Sequence, residues 1–239
     1  MEDPASKSRS ANFDEETTAT AAVMSAITSL KSIVSIVMAL TMTNTLVLLV
    51  TNGNYSEIRS VGDLQPRSAL FATLLIINVV RFYHGNIRHV DAVYSGRESL
   101  HPADRPSPRG GLGVDFMVIL LQSLLFAVMS FYLNRPQQLL ALFSGLLTFD
   151  VVWTLLVQQP SPDSLALKHQ GRWMLNNVTA LIALLVLYAA VRGGEENILI
   201  YGGAAIVLIN AIADFIISWH FYFPTPERKY GDSIPGGQG

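Results

Sequence analysis

Residues 137–158 read QQLLALFSGLLTFDVVWTLLVQ, apolar almost throughout, with a single charge, Asp150, set inside them. About 20 apolar residues of helix cross the hydrocarbon core of a bilayer. A helix also satisfies its own backbone hydrogen bonds where no water can. The stretch therefore predicts a transmembrane helix. Its carboxyl marks something more. A charge at the centre of a membrane helix costs about 2.5–3.5 kcal/mol on insertion scales, so it faces a partner or a water-filled path.

The same pattern recurs on both sides of this segment. Residues 31–51, 67–85, 113–133, 173–192 and 197–221 are also long and apolar, although Arg81 and His84 interrupt the end of the second stretch. The expected fold is all-α: a polytopic membrane bundle of six transmembrane helices. Half of the chain is hydrophobic and 14% is charged, against about 25% charged in ordinary soluble proteins. There is no cysteine, which excludes disulfides, thiol redox chemistry and Cys-ligated metal. A net charge of −2 gives no reason to expect a nucleic-acid partner; the lipid bilayer is the partner the composition requires. Residues 1–20 are polar and carry no apolar core behind a basic stretch, so the first span is expected to serve as both signal and anchor.

With six spans both termini lie on one side. Eleven lysines and arginines fall on that side, among them Lys7, Arg97 and Arg228, and four on the other, Arg59, Arg67, Arg135 and Arg192, with Arg81 set aside. The positive-inside rule then predicts an N-in/C-in topology with a cytoplasmic loop over 86–111 and a cytoplasmic tail over 224–239. The expected location is the plasma (inner) membrane.

Local signals refine the layout. Asn134-Arg135-Pro136 and Arg192-Gly193-Gly194 are short connections that predict antiparallel neighbours. Asp63 to Pro66 reads as a cap and helix start. Pro102, Pro106, Pro108 and Gly110 argue against a continuous helix in the inner loop, and Gly85-Asn86 is a candidate break. Ser25, Thr28, Ser32, Ser35 and Ala39 recur at helical spacing, the pattern of a close packing face in lipid. The ends of spans two, four and six share a form, Asn78-Val-Val-Arg81, Asp150-Val-Val-Trp153 and Asp214-Phe-Ile-Ile-Ser-Trp219. Three related hairpins would produce that form, as would chance likeness among apolar segments.

The polar residues inside the spans converge in depth. Spans two, four and six run inward, which puts Arg81, Asp150 and Asp214 in the inner half of the bilayer. At about 1.5 Å per residue, Asp150 lies about 12 Å and Asp214 about 10 Å from the ends of their spans. Asp115, Asn176 and Asn177 lie near the inner ends of spans three and five. Helical spacing aligns Gly203, Val207, Asn210, Asp214 and Ser218 on one face. Asp150, Thr154 and Gln158 form another stripe, and Asp115 with Gln122 a third. Arg81, His84, Arg88 and Asp91 align if the second helix runs on.

The expected pathway residues for a solute or ion are thus Arg81, His84, Asp115, Asp150, Asn177, Asn210 and Asp214, around a polar cavity. One guanidinium pairs with one carboxyl, and the second acid is expected to hold a proton. The alternative is plain structural pairing, which by itself gains little. His84, His89 and Asp91 are metal-ligating types, but His84 and His89 stand about 140° apart on a helix turning about 100° per residue. No metal and no cofactor are expected, and an inner-leaflet cationic collar is the better account of that segment. His220 falls in an interfacial aromatic belt with Trp219, Tyr222 and Phe223.

There is no Gly-x-Ser-x-Gly, no His-Glu-x-x-His and no Gly-rich phosphate loop. A lone Arg81 is not a voltage-sensor array. The leading expectation is a small transporter or channel, or a subunit of one, with Asp150 and Asp214 coupling protons or cations. The second is a sensor or signalling subunit that engages a cytoplasmic protein partner through the loop and tail. The third is an intramembrane enzyme. Bundles this small often work as homo-oligomers.

Overall fold

A computed structural model of the chain describes residues 4–51, 65–91, 94, 111–157, 165–191 and 195–223. Among the described residues there are seven helices and no strand: α1 (Pro4–Thr51), α2 (Pro66–Val90), α3 (Gly111–Ser130), α4 (Pro136–Val157), α5 (Leu165–Ala190), α6 (Glu196–Ile217) and α7 (Trp219–Tyr222). Six of them contain a segment long and apolar enough to cross a membrane. The connection 52–64, most of the loop 86–111, Gln158 and the tail 224–239 lie outside the described residues.

Sequence chemistry sets the helix starts. Pro66 and Pro136 occupy first-turn positions, where the missing N–H costs nothing and the fixed φ suits a helix. The residue before α2 is Gln65, extended at φ −69° and ψ 124°; it fills the N-cap position that the sequence pattern gave to Asp63. Gly111 enters α3 with φ +65°, a left-handed conformation that glycine adopts without a Cβ penalty.

The helices alternate in direction. At one end, Arg67 bonds Asn197 (2.6 Å), Ser68 bonds Asn134 (2.8 Å) and Asn44 bonds Ser130 (2.7 Å). This end holds the α3–α4 turn and is called the turn end. At the other, the loop end, α2, α4 and α6 finish while α3 and α5 begin. There Lys31 of α1 pairs with Asp91 just beyond α2.

Helices α2, α3, α4 and α6 touch in a ring, α2 to α3, α3 to α4, α4 to α6 and α6 to α2. α1 packs outside α2 and α3, and α5 packs outside α4 and α6. α2 is the most enclosed of the six spans. Phe71, Leu75, Phe82, Phe126, Phe143 and Ile200 fill the interior at 0–1% exposure. Large apolar side chains such as Leu156, Leu175, Ile209 and Ile216 face outward. A water-facing surface of that kind would drive aggregation, whereas a lipid-facing one is stable.

Three expectations change. α2 does not break at Gly85-Asn86 but runs to Val90. A Cβ on Gly85 would lie 3.4 Å from Tyr222 Oη and 3.5 Å from the Trp173 ring, ordinary contact distances, so glycine here neither bends the helix nor is required by its neighbours. The small-residue stripe of α1 is not its packing face. Ser25, Thr28, Ser32 and Ala39 point outward, Ser35 is half-buried with its Oγ 2.9 Å from Tyr83 Oη, and Ile27, Leu30, Val34 and Met38 are buried instead. Burying the larger apolar side chains and closing Thr28 and Ser32 on their own helix backbone satisfies both sets. α6 stops at Ile217 rather than 221. Ser218 turns the chain, its N–H bonding Asp214 O at 2.8 Å, and α7 follows.

Candidate functional site

Arg81 lies on α2, about 13 Å short of the loop end at about 1.5 Å per residue, and is fully buried. Its Nε donates to Asp214 Oδ2 of α6 at 2.9 Å. Nη1 donates to Asn210 Oδ1 of α6 and, at 3.5 Å, to Asn78 Oδ1 one turn back on α2. Nη2 donates to Asn177 Oδ1 of α5 at 2.6 Å. The planar fork of a guanidinium suits this role, with donors fixed in several directions at once. One side chain ties three helices together.

Asp214 gathers three donors: Arg81 Nε, Tyr222 Oη at 2.5 Å and Ser218 Oγ at 3.2 Å. The last two come from beyond the break in α6, so the turn into α7 exists where it brings Tyr222 back over the ion pair. Burial, and then the adjacent Asp214 charge, push the Tyr222 hydroxyl above its ordinary range, so it stays a donor. On the α2 side, Arg88 Nε donates to Phe221 O and His84 Nε2 bonds Tyr222 O, both at 3.2 Å.

Asp150 of α4, equally buried, is not bonded to Arg81. Asn177 Nδ2 donates to its Oδ2, and Gln122 Nε2 of α3 donates to its Oδ1 at 2.9 Å. Gln122 Oε1 in turn accepts from Asn86 Nδ2 of α2 at 2.9 Å. Asn176 and Asn210 stitch α5 to α6, each amide donating to the other residue's carbonyl, at 2.9 and 3.2 Å. The centre therefore draws on five helices, α2 to α6. It holds two carboxyls for one guanidinium.

A second polar cluster lies nearer the loop end. Asp115 of α3 accepts from Tyr94 Oη (2.7 Å), Trp153 Nε1 (3.1 Å) and His89 Nε2 (3.2 Å). Trp153 and Trp173, one turn along from Asp150 and Asn177, meet edge to face at 6.2 Å, and Phe82 meets Trp173 at 6.0 Å.

Of the expected pathway residues, Arg81, Asp150, Asn177, Asn210 and Asp214 come together. Two do not. Asp115 belongs to the His89 cluster, and His84 is half-buried against Tyr222 and Phe223, with ring centroids 5.2 and 5.4 Å away. Arg81, His84, Arg88 and Asp91 do not share one destination: Arg81 turns inward, His84 and Arg88 to α7, and Asp91 to Lys31. His84 and Arg88 therefore clamp α7 rather than standing out as a cationic collar. His84, His89 and Asp91 likewise point to separate partners. Among the described residues no group of three or more His, Cys, Asp or Glu is placed to hold a metal.

The open cavity expected from sequence is absent at these side chains. Arg81, Asp150, Asn177 and Asp214 show 0% exposure and bond to one another. Six participants outside the expected set complete the centre: Gln122, Asn86, Asn78, Asn176, Ser218 and Tyr222. Gln122 shares a helical face with Asp115, which was its signal. Asn86 and Tyr222 lay beyond the expected ends of their spans.

The fold and its centre define a multi-pass helical membrane protein with a charged core. Comparisons with protein-family models, curated proteins and solved structures give no significant match.

Proposed function

We propose that the chain is a small carrier or channel, or a subunit of one, for a proton or small cation, resting with its polar centre closed. The observation that carries this is the second carboxyl. Gluing helices together takes one buried pair, Arg81–Asp214. Asp150 adds a further acid at zero exposure, its side chain met among the described residues by the neutral amides of Gln122 and Asn177. A buried acid without a cation is costly to keep, and an exchangeable proton or cation is the use that justifies it. The positive-charge asymmetry supports the N-in/C-in orientation in a plasma (inner) membrane, with the centre on the cytoplasmic side.

The test is flux through purified protein in liposomes, read with a pH-sensitive dye and with monovalent cation gradients. Asp150→Asn should abolish flux while the protein elutes and melts as a folded bundle. Absence of proton or cation flux from the wild-type protein under both gradients refutes the proposal.

One observation favours a second function, that of a membrane sensor or signalling subunit. The donors and acceptors around Arg81 satisfy each other directly, as a rigid core requires. In that case liposomes show no flux, and a cytoplasmic partner is captured through residues 86–111 and the tail. An intramembrane enzyme has less support, because His84 and His89 serve different neighbours.

A further inference from the structure

The two oxygens of Asp150 are not equivalent. Oδ2 accepts from Asn177 Nδ2, and Asn177 cannot turn over. Its Oδ1 is held by Arg81 Nη2 at 2.6 Å and by Asn210 Nδ2 at 3.2 Å, so a turned amide would aim its N–H groups at a guanidinium. Oδ2 is therefore a fixed acceptor.

The Oδ1 side is free to change. Asn86 Nδ2 donates to Gln122 Oε1, and Gln122 Nε2 donates to Asp150 Oδ1, both at 2.9 Å. The chain of donors starts at Asn86, whose Oδ1 is buried with no hydrogen-bond partner among the described residues. A primary amide rotated by half a turn keeps its shape and exchanges oxygen for nitrogen. Two such rotations reverse the chain. Gln122 then offers oxygen to Asp150 and nitrogen to Asn86, whose oxygen accepts it. An ionised Asp150 fits only the first arrangement at Oδ1, and a protonated Asp150 Oδ1–H fits only the second.

We infer that Asp150 Oδ1 is the proton-exchanging atom of the centre and that Gln122 and Asn86 are its positioning residues, a two-position amide switch. This rests on the proton-linked function proposed above. The proton comes from hydronium on the aqueous side, leaving water, and forms one O–H bond; it leaves by the reverse step. The amides exchange only hydrogen-bond partners. The charged groups facing Asp150 are Arg81 from α2 and Asp214 from α6, both reached through Asn177 and Asn210, with Tyr222 of α7 behind Asp214. α3 and α5 present neutral amides to it. Reversal exchanges the open acceptor at Asn86 for an open donor. A buried N–H without a partner is tolerated less well than a carbonyl, so protonation changes what the loop-end turn of α2 must bond.

Infrared difference spectra of the full chain in lipid, taken from about pH 4 to about pH 10 to bracket carboxyl titration, test this. The wild-type protein should show a carboxylic C=O band that is lost in Asp150→Asn. Glutamine amide bands should change with it and shift on 13Cδ-glutamine labelling of the wild-type chain. In Gln122→Leu the carboxylic band should move to higher wavenumber, as an acid that has lost its acceptor. Absence of any Asp150-dependent band overturns the inference. So does a label-insensitive amide change, a measurement that needs no variant to fold. Flux measured in the same liposomes separates the two proposals. The band without flux removes the carrier and keeps the switch; flux without the band does the reverse.

Discussion

Replacing Arg81 by methionine takes the guanidinium from the centre and leaves the bundle's apolar packing nearly intact. Breaking a buried ion pair by removing one partner costs about 3–5 kcal/mol, chiefly because the other charge stays behind. Here the remaining charge is Asp214, which keeps two donors, Ser218 Oγ and Tyr222 Oη. That pulls the ion-pair cost to the low end, about 3 kcal/mol. The amides raise it again. Asn210 and Asn177 lose a cationic donor, and hydrogen bonds to charged groups contribute about 1.5–3 kcal/mol each, less here because Asn177 keeps Asn210 Nδ2. A loss of about 4 kcal/mol follows, or about a thousandfold in the folded-to-unfolded ratio. Asp214→Leu alone should cost a similar amount, since it strands the guanidinium. The double variant removes both charges and should cost clearly less than the sum, with a coupling of about 2 kcal/mol or more. The assay is reversible unfolding in mixed micelles followed by circular dichroism. Single losses below about 1 kcal/mol, or effects that add within about 0.5 kcal/mol, would refute the claim that this pair organises the centre.

Trp153→Phe keeps the aromatic contact but deletes the Nε1 donor to Asp115, and should cost about 1.5–3 kcal/mol in the same unfolding assay; an unchanged midpoint contradicts the second cluster. A Cβ on Gly203 would lie 2.6 Å from Leu140 Cδ1, so Gly203→Ala should destabilise by about 1–3 kcal/mol, and Leu140→Ala should be less harmful in that background than in the native one. Tyr222 predicts alkaline behaviour. Its hydroxyl is raised above the ordinary value of 10.0, so above about pH 10 the unfolded chain releases a proton that the folded one keeps. Stability is whole below that point and falls above it by about 1.4 kcal/mol per pH unit from this group. Tyr222→Phe should remove that increment, and a pH profile identical to wild type would rule it out. Orientation is read by single cysteines placed at Asn54 and Ser107 in this cysteine-free chain. An impermeant thiol reagent should reach Asn54→Cys from outside the cell and Ser107→Cys only after the membrane is opened.

The spans were legible because bilayer thickness and backbone hydrogen bonding leave a long apolar run few alternatives. Helix faces were legible where a polar residue repeated every three or four positions. On α6 the stripe Gly203, Val207, Asn210, Asp214, Ser218 is buried as its spacing predicts. On α1 the same logic misled, because small residues at helical spacing suit a tight interface and a lipid-facing surface equally. The larger Ile27, Leu30, Val34 and Met38 took the interior. Gly85-Asn86 misled as well. Glycine weakens a helix by only about 0.5–1 kcal/mol relative to alanine, and α2 runs through Gly85 because its flanking turns are packed against Tyr222 and Trp173.

Pairing was the part the sequence held back, and the reason is geometric. Spacing along one helix fixes the depth of a side chain and its direction around the axis. It says nothing about which helix stands next to it. Arg81 had two acids at similar depth, Asp150 and Asp214. The choice fell to Asp214 because α6 packs against α2, whereas Asp150 on α4 meets the guanidinium only through Asn177 of α5. The same placement gives Asn177 its importance. Its oxygen faces the cation and its nitrogen faces the leftover acid, so it passes the field of Arg81 to Asp150 without neutralising it. A helix order with α4 beside α2 would have paired Arg81 with Asp150 and left Asp214 to Tyr222 and Ser218, both from the loop end of the bundle. The observed order puts the unpaired carboxyl between one fixed amide, Asn177, and one that can reverse, Gln122.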